Sequence, residues 1–290
     1  MFALNQILVP VDFSDRCAGA VRYASSLARH YGSEVTLLHV VPNPVYGLPG
    51  IEYGGPAVME VSDEWVEEIR RSLNCFGKNA LEGVKVRRVV LKGDPPEEIV
   101  KFAHEAHATT IVMPTHGYGP VRRFLIGSVT AKVLHDCDCA VLTGVHMDKA
   151  PLLDPVAFRE VVCALDLGPH SATTLEWAGK FAADQHARLR IIHTVAAPEP
   201  KFALHLGEDW REEVNKVARE EIQRLQTEAG TKGIVYIEDG NPASEVCSLA
   251  EAVRADLLVI GRSSWHGSHG RLRSNSYAII RQSPCAVASV

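Results

Sequence analysis

Two kinds of hydrophobic pattern alternate along this chain. Short continuous apolar runs are separated by longer stretches in which apolar residues recur every three or four positions. The first kind suits strands buried on both faces, the second amphipathic helices. Runs near 6–11, 35–41, 84–91, 109–113 and 139–143 predict five strands in the first half. Runs near 160–165, 188–194, 233–238, 256–260 and 285–289 predict five more in the second. Strands alternating with helices point to open, doubly wound α/β domains with parallel sheets. Two helices, near 60–76 and 207–228, are longer, and EDWREEVNKVAREEIQRL in the second has a well-charged outer face. The stretch Val41 to Pro56, VPNPVYGLPGIEYGGP, reads as a loop, either a lid over a site or a plain excursion.

The pattern is written twice. Asn5 to Val41 and Arg159 to Ala196 each begin with a β-branched run ending at an aspartate, Asp12 or Asp166. Each continues through a small polar turn and an alanine-rich helix to a second apolar run containing a histidine, His39 or His193. LKGDPPEEIVKFAHEAHATTIVMPTHG resembles IEDGNPASEVCSLAEAVRADLLVIGRSS, and the halves end alike in CDCAVLTG and SPCAVASV. Repeats of this size indicate duplicated domains. The expected division is a first domain over 1–146, a linker over 147–157 and a second domain over 158–290, because the pattern stops in HMDKAPLLDP and prolines enter. Each domain ends in an apolar strand, an edge that needs a partner. The two last strands can supply it to each other within one chain, with effective concentration raised by the linker.

Length and charge narrow the classes. A chain of 290 residues suits two domains. A net charge of −5 argues against an extended nucleic-acid footprint; Arg122-Arg123 is the local basic cluster worth noting. The absence of a cationic amphipathic helix argues against membrane attachment, and no apolar run approaches spanning length. The chain runs directly into QILVPVDFS, a strand pattern rather than a basic leader. Seven cysteines, thinly spread, do not read as a disulfide framework. A cytoplasmic location is the expectation.

In an open α/β sheet, ligands bind beyond the carboxyl ends of strands where the strand order reverses. Strand one ends in Pro10-Val11-Asp12-Phe13-Ser14, and strand four in Met113-Pro114-Thr115-His116-Gly117. If these strands are neighbours, Asp12 faces the loop after strand four. Asp12 then reads either as a helix cap, a role Ser14 fills as well, or as a carboxylate near a ribose hydroxyl or phosphate-bound metal. Nine residues separate Gly117 from Gly127, and Ser128 follows. Glycine lets backbone approach an anion, and the following helix start offers free N–H groups with the Ser128 hydroxyl and the first-turn amides of Val129 and Thr130. Helix capping is the competing account. The spacing is neither a P-loop nor a GxGxxG turn. His116 has no serine–histidine–acid companions in sequence. Cys137-x-Cys139 lacks CxxC spacing, with Cys139 expected inside the last strand, and packing is favoured over redox or metal chemistry. His266 and His269 sit in a loop-like WHGSHG with no neighbouring acid or cysteine.

ILVPVDFS, LLHVV, MPTHG and IGSVTAKVL together resemble the universal stress protein family in its tandem two-domain form. The resemblance implies a Rossmann-like fold with strand order 3-2-1-4-5 in each domain, paired through the last strands as an internal pseudo-dimer. It further implies, in nucleotide-binding members, ATP held by a Gly-x2-Gly-x9-Gly-Ser/Thr pattern, with or without Mg2+. The family's contacts carry over to Pro10, Val11 and Asp12 beside the nucleoside, and to Val40 at the adenine, often through its backbone. Met113, His116 and Gly117 match the loop contacts, and Gly127, Ser128 and Val129 the phosphate turn. Pro114 stands where the first glycine is expected and removes an N–H donor. The second half departs further: Gly261 matches, Ser264 stands where the second glycine belongs, Ser274-Asn275 replaces Gly-Ser, Ala164 replaces the proline and Thr194 stands for Val40. That half reads as degenerate.

The expected function is a stress-associated, adenine-nucleotide-binding regulator with its better site in the first domain, acting on a regulatory protein the sequence does not name. A nucleotide-independent interaction module is the alternative, and a slow ATP hydrolase a third reading. No dedicated catalytic residue is evident, and a homodimer of whole chains is left open.

Overall fold

The computed structural model describes residues 2, 4–42, 45–46, 57–58, 62–116, 126–145, 147, 156–196, 209–262 and 274–290. The first half runs β1 (Gln6–Pro10), α1 (Asp15–Tyr31), β2 (Glu34–Val41), a short pair β3 (Val45–Tyr46) and β4 (Ala57–Val58), and α2 (Asp63–Cys75). It continues β5 (Lys85–Lys92), α3 (Pro95–Glu105), β6 (Thr110–Val112), α4 (Ser128–Asp136) and β7 (Ala140–Thr143). The second half runs β8 (Glu160–Leu165), α5 (Ser171–Asp184), β9 (Arg188–Val195), α6 (Trp210–Ala229) and β10 (Ile234–Asp239). It closes with α7 (Pro242–Ala252), β11 (Leu257–Ile260), α8 (Ser274–Gln282) and β12 (Ala286–Ser289).

Local chemistry sets several of these boundaries. Ser14 caps α1 by accepting from the Cys17 N–H, and Gly32 ends it in the left-handed region at φ 68°. Asn241 caps α7 by accepting from Ala243 and Ser244, with Pro242 in the first turn. α2 is shorter than the apolar period suggests because Ser62 caps it, whereas α6 runs one residue past its expected end before Gly230 stops it in the left-handed region. The Val41 to Pro56 loop lies largely outside the described residues, apart from the β3 strand that pairs antiparallel with β4.

The ten longer strands form one sheet in the order β10-β9-β8-β11-β12-β7-β6-β1-β2-β5. Each half therefore has the expected 3-2-1-4-5 order of its main strands, parallel throughout. The halves join where β12 pairs antiparallel with β7, Val287 opposite Thr143, Ala288 opposite Leu142 and Ser289 opposite Val141. All six residues are buried, so pairing removes both exposed edges at once. The two sheets become a single continuous one with an internal two-fold likeness.

Helices cover both faces of this sheet. On one face α1 and α5 meet across the seam around an aromatic cluster: Phe2 packs edge-on against Trp177 and Phe181, and Phe158 against Phe181 at 5.2 Å. Ser26 donates to the Val156 carbonyl and Gln185 to the Tyr31 hydroxyl, tying the halves further. On the other face α3, α4, α7 and α8 share a second core that includes Val133, Leu134, Ile279 and Ile280. Met147, inside the expected linker, is buried in the first core.

Candidate functional site

β1 and β6 are neighbours, with Leu8 beside Ile111. Their carboxyl ends flank the point where the strand order reverses, the place where doubly wound sheets take ligands. Three segments meet there. The loop after β1 is held by the Val11 N–H on the Leu38 carbonyl and by a 2.7 Å hydrogen bond between His39 Nδ1 and the Val11 carbonyl. Phe13 sits at φ 63° with its ring 4.9 Å from the His39 ring, a left-handed position seldom taken by a bulky residue and one that re-aims the chain at the strand end.

Asp12 organises this turn rather than capping the helix. Its Oδ1 accepts from the Ser14 N–H at 3.0 Å and from the Ser14 hydroxyl at 2.6 Å, while Ser14 is the cap. The Asp12 N–H donates to Cys17 Sγ at 3.4 Å. Partial burial opposes ionisation of Asp12, yet hydrogen bonds from Cys17 and Ser14 outweigh it and hold the carboxyl below its ordinary value. The same group and burial push the Cys17 thiol up to about 12.

The second segment is the end of β6. Met113 is buried, its N–H donating to the Leu142 carbonyl. Pro114 has no N–H to offer, and its carbonyl accepts from the Thr130 hydroxyl at 3.0 Å. Thr115 and His116 follow, joined by a 2.9 Å contact between Oγ1 and Nδ1. Gly117 and the following residues through 125, including Arg122-Arg123, lie outside the described residues.

The third segment is the start of α4. Gly127 is its cap residue and no side chain caps it. The Gly127 N–H donates to the Thr115 carbonyl at 2.8 Å, fastening the helix start to the strand end. Ser128 is the first helical residue, exposed, with Val129 half-buried after it. The hydroxyl and the first-turn N–H groups are thus presented at the sheet's carboxyl edge, where an anion is favoured. Pro10, Val11 and Val40 form buried apolar wall beside it. The strand ends and α4 thus bring Pro10, Val11, Asp12, Val40, Met113, His116, Gly127, Ser128 and Val129 to one edge. Sequence reasoning gave no role to His39 or Thr115, and to Thr130 only its first-turn amide, not the hydroxyl that binds the Pro114 carbonyl. The recurrence of histidine at His39 and His193 was the visible signal.

The second half repeats the frame with different chemistry. His193 Nδ1 bonds the Leu165 carbonyl at 2.8 Å, and Leu167 takes φ 55°. Asp166 Oδ1 accepts from the Gly168 N–H and the Ser171 hydroxyl. Between β8 and β11 lies a cleft of about 180 Å3 with Asp166, Thr194, Gly261 and Asn275 in its walls. That is smaller than the roughly 300 Å3 of ordinary small-molecule pockets. Thr174 narrows it: a Cβ on Gly261 would lie 2.6 Å from Thr174 Oγ1. Ser264, His266 and His269 lie outside the described residues, as does the Ser274 side chain.

The family model described as the universal stress protein family matches residues 4–143 and 157–290. Universal stress protein MJ0531 of Methanocaldococcus jannaschii is 36% identical over 140 residues, 48% of this chain and 80% of that protein. Universal stress protein YxiE of Bacillus subtilis is 31% identical over 150 residues, 48% of this chain and 97% of that protein. The crystal structure of a universal stress protein from Archaeoglobus fulgidus covers 99% of this chain and 98% of its own, with a TM-score of 0.72 at 22% identity, a likeness of fold.

Proposed function

This chain belongs to the universal stress protein family, and from that premise we propose that it is a stress-associated regulatory protein that binds an adenine nucleotide, ATP, in its first half. The observation that carries the proposal is the convergence at one sheet edge of the Asp12 turn, the apolar wall of Val11, Val40 and Met113, and the α4 start at Gly127. An adenine ring would lie against Val40 and Met113. The Asp12 carboxylate, kept ionised, would accept from ribose hydroxyls. Phosphates would meet the Gly127–Val129 backbone and the Ser128 hydroxyl. His116 and Gly117 would border the phosphate turn. Among the described residues no three His, Cys, Asp or Glu side chains converge as metal ligands, so the proposal assigns Mg2+ to the phosphates rather than to the protein.

The residues of the second half suit this ligand less well, since its cleft is small and Thr174 occupies part of it. One ATP per chain is the expected stoichiometry. Calorimetric titration of nucleotide-stripped protein, with and without Mg2+, measures it. Gly127→Glu is the discriminating variant. Gly127 has φ −62° and ψ 150°, open to any residue, and an added Cβ meets its neighbours at 3.4 Å or more. The variant should fold and lose binding through charge repulsion at the phosphate turn. Unchanged affinity in that folded variant would remove the site.

Pro114 is the observation favouring a second reading, a nucleotide-independent interaction module. Its N–H is missing and its carbonyl is already engaged by Thr130. No saturable heat at several temperatures, with equilibrium dialysis agreeing, would favour that reading.

A further inference from the structure

Away from the strand ends just described, Cys137 and Cys139 occupy the turn between α4 and β7. Cys139 lies one residue before the strand, half-buried, rather than within it as its apolar surroundings suggest. The two sulfurs are 3.3 Å apart. The same turn anchors the second half of the molecule. Arg262, buried at the end of β11, donates from Nη1 to the Cys137 carbonyl at 2.9 Å and the Leu134 carbonyl at 3.3 Å, and from Nη2 to the Cys139 carbonyl at 2.5 Å. Its guanidinium therefore crosses the seam and binds the backbone of the turn that carries the two thiols.

We propose that Cys137 and Cys139 form a redox-active dithiol that a peroxide-class oxidant converts to a disulfide, at the turn where Arg262 fastens the two halves together.

The electrostatics support the assignment of roles. A hydrogen bond from the Cys139 thiol lowers Cys137 most; burial opposes it; the Cys139 backbone N–H and the Arg262 charge add to the lowering, which reaches about 7. Cys139, donating to that sulfur and partly desolvated, is pushed up and keeps its proton. Buried and half-buried thiols elsewhere shift the other way. Burial pushes Cys247 up to about 11 and Cys285 up to about 12, and drives Cys163 higher still. The thiolate rather than the thiol is the nucleophile, and Cys137, held lowered with its sulfur beside that of Cys139, is the one suited to that role. Cys137 is only 3% exposed, so a small oxidant is required. An open groove flanked by Lys101, His104 and His107 reaches the turn from α3.

The chemistry balances in two steps. The Cys137 thiolate attacks one peroxide oxygen and breaks the O–O bond; the departing hydroxide takes a proton to become water, leaving a sulfenic acid. The Cys139 sulfur then attacks the sulfenic sulfur; its own proton and the departing hydroxide leave as a second water. Two electrons pass from the sulfurs to the peroxide. The sulfurs need to close by about 1.3 Å to reach a disulfide bond of about 2.05 Å.

The test uses the whole, reduced chain. Hydrogen peroxide is added in a dose series, free thiols are alkylated under denaturing conditions, and the peptide following Lys132 is analysed by mass spectrometry without reductant. The expected product is that peptide lighter by two hydrogens and carrying neither alkyl group, with both sites restored by dithiothreitol. In Cys139→Ser the reaction should stop at a Cys137 sulfenic acid, trapped by dimedone. Exposed Cys75 serves as the internal comparison. Full alkylation of Cys137 and Cys139 at a dose that oxidises Cys75 would overturn the proposal. So would a wild-type sulfenic acid at Cys137 that never yields the disulfide. The wild-type arm decides even if the variant does not fold.

Discussion

Replacing Gly261 by alanine asks whether the glycine of the second half serves a ligand or a helix contact. The new Cβ would lie 2.6 Å from Thr174 Oγ1. Thr174 is 2% exposed on α5, and its hydroxyl donates to the His170 carbonyl at 2.9 Å. Being β-branched on a helix, it has few rotamers to escape into. Turning the hydroxyl away forfeits about 1 kcal/mol of hydrogen bond, and forcing helix and strand apart brings the overpacking cost to about 2 kcal/mol. A restricted unfolded chain returns about 0.5 kcal/mol. The net expectation for Gly261→Ala is a loss of about 1.5 kcal/mol. In a Thr174→Ala background the clash is gone and only the unfolded-state term remains, so the same substitution becomes neutral or slightly stabilising. The coupling is therefore about 2 kcal/mol, within the range seen for residues in contact. Urea unfolding of the four proteins, compared by midpoint at constant slope, measures it. Equal effects of Gly261→Ala in both backgrounds, within about 0.5 kcal/mol, would refute the packing account. The first half carries Ala20 at the position matching Thr174 and Pro114 at the position matching Gly261, the smaller and larger residues exchanged.

Two further expectations follow from the first site. Pro114→Gly restores one N–H donor beside the phosphate turn; one regained hydrogen bond of about 1 kcal/mol tightens ATP binding roughly fivefold, and an unchanged dissociation constant by calorimetry would clear Pro114 of blame. Asp12 gives a pH dependence whose sign is set by its lowered folded value. Near its ordinary value of 3.8 the unfolded chain binds the proton more readily than the native one, so the contribution is complete above that pH. It fades as pH falls through the lower folded value. Asp12→Asn should flatten this part of the acid limb in thermal midpoints taken over roughly pH 2 to 5, and an identical acid limb would show that the Ser14 hydrogen bonds do not govern the titration.

Periodicity and repetition are local properties, and they made the architecture legible without coordinates. Apolar runs marked the eight inner strands because a residue buried on both sheet faces has no polar alternative, while the edge strands β5 and β10 are partly exposed and carry charged residues. The duplication exposed the two halves, and CAVLT with CAVAS announced two apolar edges that pair as β7 and β12. The glycine and serine of the α4 start were also visible, together with Asp12, as candidates for one site. Sequence left open whether Asp12 was a cap. That depended on which of two hydroxyl- or carboxylate-bearing neighbours reached the Cys17 N–H, and in the folded turn it is Ser14.

What the chain alone determined was the set of elements, their repetition and the residue types available at each strand end. Only the tertiary structure decided which of them meet. Thr130 reaches the Pro114 carbonyl because the sheet places β6 beside α4, and Arg262 reaches a turn more than a hundred residues away because two edges closed on each other. Cys137 and Cys139 looked like two packing residues with unhelpful spacing. The backbone of the turn brings their sulfurs to 3.3 Å, and a guanidinium from the other half binds the turn's carbonyls. Local patterns carry no information about such approaches: hydrophobic burial is proportional to area and tolerates many arrangements, whereas a hydrogen bond or a sulfur pair exists only at one distance and angle.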